Sequence, residues 1–370
     1  MKFICSKSDL LKGVNIVSKA VPVRTTMSIL ECILIDTSAN KIKLTANDME
    51  LGIETIIQGE ILEAGVIALD AKIFLEIVRK LPDNEVTVET DQTFKTLITC
   101  EKAKFNIIGK SGEDFSYLPY VERKDSVSMS QFTLKEVIRQ TIFSITDNDN
   151  NKLMSGELFE IDENKFKVVS LDGHRISIRN IELKDSYEYK KVIVPGKTLN
   201  EISKILPGSA EENVLLFFTD NHIIFEFDQT TVVSRLIEGE YFKIEQMLSS
   251  DYETKVTINK KELLDCIDRA SLLIKEGDKK PIIMNITDTT MELKINSFIG
   301  SMNEDIDIEK EGKDILIGFN PKFFIDALRV IDNEEVTIYM VNPKAPCFIK
   351  DENESYIYLI LPVNFNSSVN

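Results

Sequence analysis

The chain has no tryptophan and only two histidines, His174 and His222, among its 370 residues. A histidine-built metal cluster or a catalytic triad is therefore poorly supplied. Five cysteines (Cys5, Cys32, Cys100, Cys266, Cys347) are scattered, odd in number and without metal-binding spacing. They read as reduced core or surface thiols of a cytoplasmic protein. No stretch approaches 18 uncharged apolar residues, and the opening MKFICSKSDLLKG has no signal-peptide pattern, so no membrane-spanning helix is predicted. P-loop, GxGxxG, HExxH, CxxC and GxSxG motifs are all absent, which removes the usual signatures of nucleotide, zinc, thiol-redox and hydrolase sites. Positive charge is short as well. With 44 Lys and Arg against 61 Asp and Glu, the net charge of −17 argues against a surface that is basic throughout.

What the chain does have is repetition. The stretch NPKFFIDALRVIDNEEVTIYM, 320–340, places Phe323, Phe324, Ala327, Leu328 and Ile331 on one helical face, then changes to strand composition at Val336. The same design recurs at 70–89 and 195–217, and three further amphipathic helices alternate with these. Helices are predicted over 8–20, 71–81, 131–145, 196–206, 260–274 and 321–331, at steps of 60 to 65 residues. Six such units are three domains of two units each. The borders fall in polar stretches, 118–128 and 246–254, giving domains 1–121, 122–246 and 247–370.

The six helices hold 14 basic and 8 acidic residues, a net of +6, whereas the rest of the chain holds 30 and 53, a net of −23. An acidic protein thus gathers positive charge on one repeated element. Such charge without a base-reading motif suits attraction to a phosphate backbone, although solvated helix faces explain it too.

Between the helices lie many predicted strands. Those at 31–36, 41–46, 51–58, 62–69, 86–90, 95–99 and 104–108 fill the first third. The second third has 155–162, 165–171, 174–180, 190–194, 214–218, 222–227 and 231–237. The last has 254–258, 281–287, 291–297, 302–308, 314–318, 335–341, 345–350 and 355–361. The fold class is α+β with mostly antiparallel sheet.

The most distinctive local sequence is Leu171-Asp172-Gly173-His174-Arg175-Ile176, where Asp-Gly marks a tight turn between strands. It is a structural turn, or a site presenting His174 and Arg175 at a sheet rim. The acid pairs Asp147/Asp149 and Asp305/Asp307 read as surface turns rather than cation sites. The closing run Tyr356 to Val363 reads as a last core strand whose end, Leu361-Pro362-Val363, could line an apolar groove.

These residues together resemble the beta sliding clamp of bacterial DNA polymerase III over essentially the whole chain. The likeness rests on the opening MKFICSKSDLLKGVNIVSKAV, the loop Pro22-Val23-Arg24-Thr25 with Ile29-Leu30, the turn Asp172 to Arg175, the closing Leu361-Pro362 and the three-part length. The resemblance implies three similar domains of paired helices on antiparallel sheets, the DNA clamp fold, in a head-to-tail dimeric ring with helices lining the hole. It implies a non-catalytic processivity factor that encircles duplex DNA and needs no metal or cofactor. Lys12, Arg24, Arg79, Lys80, Arg139, Lys197, Lys204 and Arg269 become candidate DNA contacts. A partner-peptide groove, serving the replicative polymerase, the clamp loader and other replication and repair proteins, is implied at Met154, Leu171, Gly173, His174, Arg175 and Ile176. Lys243, Ile244, Leu359, Leu361, Pro362 and Val363 close it, and Asn320, Phe323, Met340 and Asn342 rim its shallower part. Arg175 is expected to orient the bound peptide. The subunit contact is implied between the region from Phe74 to Phe105 of one chain and that from Ala270 to Met302 of the other. The chain departs from the family pattern at Val363-Asn364-Phe365, where Met, Arg and Leu are common, and at Gly239, where proline is frequent. Two other readings stand beside this one: a repeat-built interaction scaffold that never encircles DNA, and an enzyme using Asp172, His174 and Arg175.

Overall fold

Each helix begins where a short polar side chain can take up the free N–H groups of a first turn. In the computed structural model, Ser6, Asp70, Asn259 and Asn320 accept backbone N–H bonds as N-caps of four helices. The structure describes residues 1–119, 123–146, 151–248, 251–275 and 280–365. Six α-helices are described: α1 (Lys7–Val17), α2 (Ala71–Lys80), α3 (Gln131–Thr141), α4 (Gly196–Ile205), α5 (Lys260–Ser271) and α6 (Pro321–Val330). The predicted extensions of the first and third are 3-10 turns, Ser18–Ala20 and Ile142–Ser144. The apolar stripes are buried as the periodicity requires: Leu10, Val14 and Val17 on α1, Phe74 and Val78 on α2, Phe324, Ala327 and Leu328 on α6.

The chain forms two compact units, residues 1–135 with 197–236, and residues 136–196 with 237–370. In the first, one antiparallel sheet runs in the order Glu60–Glu63, Lys2–Ser6, Glu85–Thr90, Lys95–Cys100, Ala103–Ile108. A nine-stranded sheet joins the first repeat pair to the second where Leu51–Ile57 pairs with Thr230–Arg235. In the second unit, a seven-stranded sheet does the same, pairing Arg175–Pro195 with Tyr356–Ile360. A four-stranded sheet ends on Ser301–Asp307. Helices on antiparallel sheets, three times over, are the architecture expected. Because sheets cross from one third of the chain to the next, compactness divides the central third between the two units.

The strand expectations need correction in five places. Lys2–Ser6 is a central strand rather than a preamble to α1, with Phe3 and Cys5 buried. The segment 62–69 is two strands, Glu60–Glu63 and Val66–Asp70, separated at Ala64-Gly65. Conversely, the four central segments between 155 and 194 are two long strands, Gly156–Leu171 and Arg175–Pro195, whose register slips around Glu163. Val127–Ser130, read as border, adds an edge strand. Glu309–Gly312 pairs with Thr254–Asn259 despite its charge. Tyr120 to Glu122 of the first border, the pair Asp147/Asp149 and the tail from Asn366 to Asn370 lie outside the described residues.

All five cysteines are buried and free, so none is a surface thiol. Burial pushes the thiols of Cys5 and Cys266 up to about 12, which leaves them protonated and unreactive. Among the described residues no helix is long and apolar enough to cross a membrane.

Candidate partner groove and nucleic-acid surface

The Asp-Gly turn is built as the dipeptide suggests. Asp172 Oδ1 accepts from the backbone N–H groups of His174 and Arg175 at 3.0 and 3.1 Å. Gly173 sits at φ +86°, open to solvent, where a side chain would be strained. Strand register then sets which residues share a face. Leu171, Ile176, Leu359, Phe348 and Tyr339 stand opposite one another across five strands, forming one row. Leu171, Ile176, Phe348 and Leu359 belong to one apolar cluster with Tyr241 and Ile244, against which Met154, Phe242 and Leu361 pack.

The C-terminal segment is stitched alongside. Leu361 N–H donates to His174 O at 2.9 Å and Val363 N–H to Gly318 O at 2.8 Å. Leu361, Pro362 and Val363 are half-buried, and His174 and Lys243 are exposed. The His174 ring stacks on Phe323 with centroids 6.1 Å apart. These residues therefore converge on a half-covered apolar strip beside a polar turn.

Several predicted groove residues have other tasks. Met340, 1% exposed, lies in the core of the C-terminal third and cannot rim a groove. Ile244, Leu171, Ile176 and Leu359 are floor, not lip. Asn320 caps α6, and Asn342 Oδ1 ties its own turn at Lys344 and Ala345. Arg175 is buried, and each of its three guanidinium nitrogens has an acceptor. Its Nε donates to Asp172 at 2.9 Å, Nη1 to Asp326 at 2.7 Å and Nη2 to the carbonyl of Phe143. Its guanidinium also lies over the rings of Phe323 and Phe143, at 4.6 and 5.4 Å. Neither Asp326, Phe143 nor Phe348 was legible as part of the site. Asp326 reads as a helix surface charge, and only the cross-strand register brings in Phe348.

A catalytic use of the turn finds no support, since Asp172 is committed to Arg175 and two backbone N–H groups while His174 stacks on Phe323. Asp305 and Asp307 lie on an edge strand. No group of His, Cys, Asp and Glu among the described residues is arranged to hold a metal. A cavity of about 160 Å³ lies between α1, the end of strand Leu51–Ile57 and the turn at Phe227–Thr230. It shares no residue with the groove, so register and turn geometry, not cavity size, define the site.

The eight candidate DNA contacts divide by partner. Arg79 pairs with Glu76, Arg139 with Glu136 and Asp332, Lys197 with Asp48, Lys204 with Glu201 and Arg269 with Glu304. Lys12, Arg24 and Lys80 are exposed with no carboxylate partner among the described residues. Two further helix lysines are structural. Lys135 Nζ donates to Leu206 O at the end of α4, and Lys260 Nζ to Ile331 O at the end of α6. Each places a cation where a helix leaves its last carbonyls free.

Family models match the chain in three consecutive parts. They are the DNA polymerase III beta subunit N-terminal domain at 1–119, its central domain at 128–243 and its C-terminal domain at 245–364. A beta sliding clamp from Staphylococcus aureus is 35% identical over 374 residues, covering 98% of this chain and 99% of that protein. A crystal structure of a candidate DNA polymerase III beta subunit from Eubacterium rectale is 80% identical. It superposes with a TM-score of 0.96, covering 99% of this chain and 100% of that one. The DNA polymerase sliding clamp from Bacillus subtilis is 32% identical with a TM-score of 0.95 and the same coverage.

Proposed function

The chain belongs to the DNA polymerase III beta subunit family and serves as a DNA sliding clamp, a non-catalytic processivity factor, and we propose the surfaces with which it does so. Two copies close head to tail into a ring, each contributing domains 1–121, 122–246 and 247–370. The helices face duplex DNA and the groove of the Asp172 turn receives client peptides from the replicative polymerase, the clamp loader and repair proteins in the cytoplasm. The observation that carries this reading is the segregation of charge, +6 on the six helices against −23 elsewhere. A clamp must hold a polyanion yet slide, which requires weak, numerous and sequence-blind contacts. The acidic remainder discourages DNA from binding elsewhere.

Cations without carboxylate partners gain most from a phosphate, because paired ones exchange one anion for another. Replacing Lys12, Arg24 and Lys80 with Gln is expected to lower the salt slope of duplex binding by about 2 to 3. The same change at Arg79 and Lys204 lowers it by less than about 1. Binding to a short linear duplex across a salt series measures both, and equal slopes for the two variants would contradict this assignment.

The interaction-scaffold alternative keeps the repeats and the groove but predicts no salt-sensitive attraction to DNA, so the same titration separates the two.

A further inference from the structure

Arg175 sits in the middle of the proposed groove, yet its guanidinium donates only to groups of its own chain. The acceptors come from three elements: Asp172 of the turn, Asp326 of α6 and the Phe143 carbonyl after α3. Its side chain is 7% exposed, and that of Asp326 is 20% exposed. The surroundings of this cluster are equally tied down. Tyr358 OH donates to Gln140 O at 3.0 Å, Ser170 Oγ to Thr141 O at 2.6 Å, and the Ser144 and Ser177 hydroxyls share a bond of 2.6 Å. The last turn of α3 and the strands of the groove floor therefore hold each other in one arrangement.

Resting on the groove reading, we propose that Asp326 is a positioning residue for client recognition, and that Arg175 is a strut rather than the group that pairs with the bound peptide. Asp326 lies on α6 two residues after Phe324, which is fully buried, and three after Phe323, whose ring stacks on both His174 and Arg175. By fixing Nη1 it holds the guanidinium over the Phe323 ring. The wall that a peptide meets is then the outer edge of the His174–Phe323 stack and the apolar floor. Three of the five guanidinium N–H groups are bound to two carboxylates and a carbonyl, and with the side chain 7% exposed the cation is already neutralised and screened from an acidic side chain of a client. Recognition at this wall follows apolar shape and is indifferent to a carboxylate on the peptide.

The test uses the full-length protein and a fluorescein-labelled peptide carrying three aliphatic residues, made with Asp or with Asn at its centre. Wild type is expected to bind the two forms within about twofold of each other. Asp326→Asn takes away one of the two carboxylate charges that balance the buried Arg175 and is expected to weaken both forms equally, by about tenfold. Arg175→Ala weakens both by a similar factor, and the double variant is no weaker than either single one, as residues acting through one device require. Asp326→Glu, which keeps the charge, recovers part of the loss. A reading that needs no variant to fold is the Arg175 Nε–H resonance, which stays in place as unlabelled peptide is added to wild type. The proposal is overturned if Asp326→Asn binds as wild type, if Arg175→Ala selectively weakens the Asp form, or if the Nε–H resonance moves on titration. Wild type that binds neither peptide removes the groove reading itself, and this inference with it.

Discussion

Raising the pH from 4.5 to 8 is expected to cost the wild-type fold on the order of 4 kcal/mol that the Glu157→Gln variant does not lose. Glu157 is wholly buried on strand Gly156–Leu171, and neither of its oxygens has a hydrogen-bond partner among the described residues. Burial pushes its carboxyl up to about 8, and the nearby Thr141 hydroxyl, whose proton goes to the Val137 carbonyl, lowers it by less than burial raises it. Tyr241 is a titratable neighbour, itself held protonated by burial and by Glu157. The sign follows from linkage. Below the ordinary carboxylate range both the folded and unfolded chains carry the proton. Between that range and pH 8 the unfolded chain releases it while the folded chain keeps it, so stability falls. Above pH 8 the penalty is constant. Other carboxylates act oppositely. Those of Asp265 and Glu304, held low by hydrogen bonds to Lys261 and Arg269, add stability that is lost as pH falls through their folded values. Urea midpoints of wild type and Glu157→Gln across this range isolate the Glu157 contribution. Curves that stay parallel would contradict the assignment.

The second large effect concerns the exposed edges. The five-stranded sheet ends on Ala103–Ile108, which shows Phe105 and Ile108 to solvent at 38% and 78%. The four-stranded sheet ends on Ser301–Asp307, near Leu272, Phe298 and Ile299, exposed at 79%, 98% and 53%. Open apolar edges of this kind invite pairing with another chain. Lys102 and Lys104 on one side and Asp305 and Asp307 on the other give the two edges opposite charge. A head-to-tail contact between copies satisfies both. Ile108→Asp with Phe105→Asp is expected to weaken self-association by roughly 100-fold or more, given about 2 kcal/mol for each large side chain withdrawn from burial. Sedimentation of wild type and variant measures it. An unchanged dimer would place the contact elsewhere.

The helices were legible because amphipathic stripes and N-caps are local signals, and all six fall within a few residues of the predicted spans. The central hairpin was legible in part. Alternation marked four strand segments, but the gaps left between them at 163–164 and 181–189 lie within two long strands, whose register slips around Glu163. Lys2–Ser6 escaped because a five-residue strand carries too little pattern to compete with the helix that follows it. The groove shows where sequence runs out. Asp172 and Gly173 announce a turn, and Leu361-Pro362 an apolar end, but only pairing across the sheet reveals that Phe348 continues the floor. Likewise, nothing local distinguishes Asp326, which braces Arg175, from a solvated acid on a helix. The positive charge of the helices was correctly counted, yet five of the eight proposed contacts prove to have carboxylate partners.

The central claim is that this chain holds DNA by enclosing it rather than by gripping it. The direct measurement is retention on nicked circular DNA, after loading by a cognate clamp loader, with the same circle cut to a linear form as control. The account predicts that protein stays on the circle at salt concentrations that abolish ordinary phosphate contacts, and leaves once the circle has ends. Protein lost equally from circular and linear DNA at high salt would contradict enclosure.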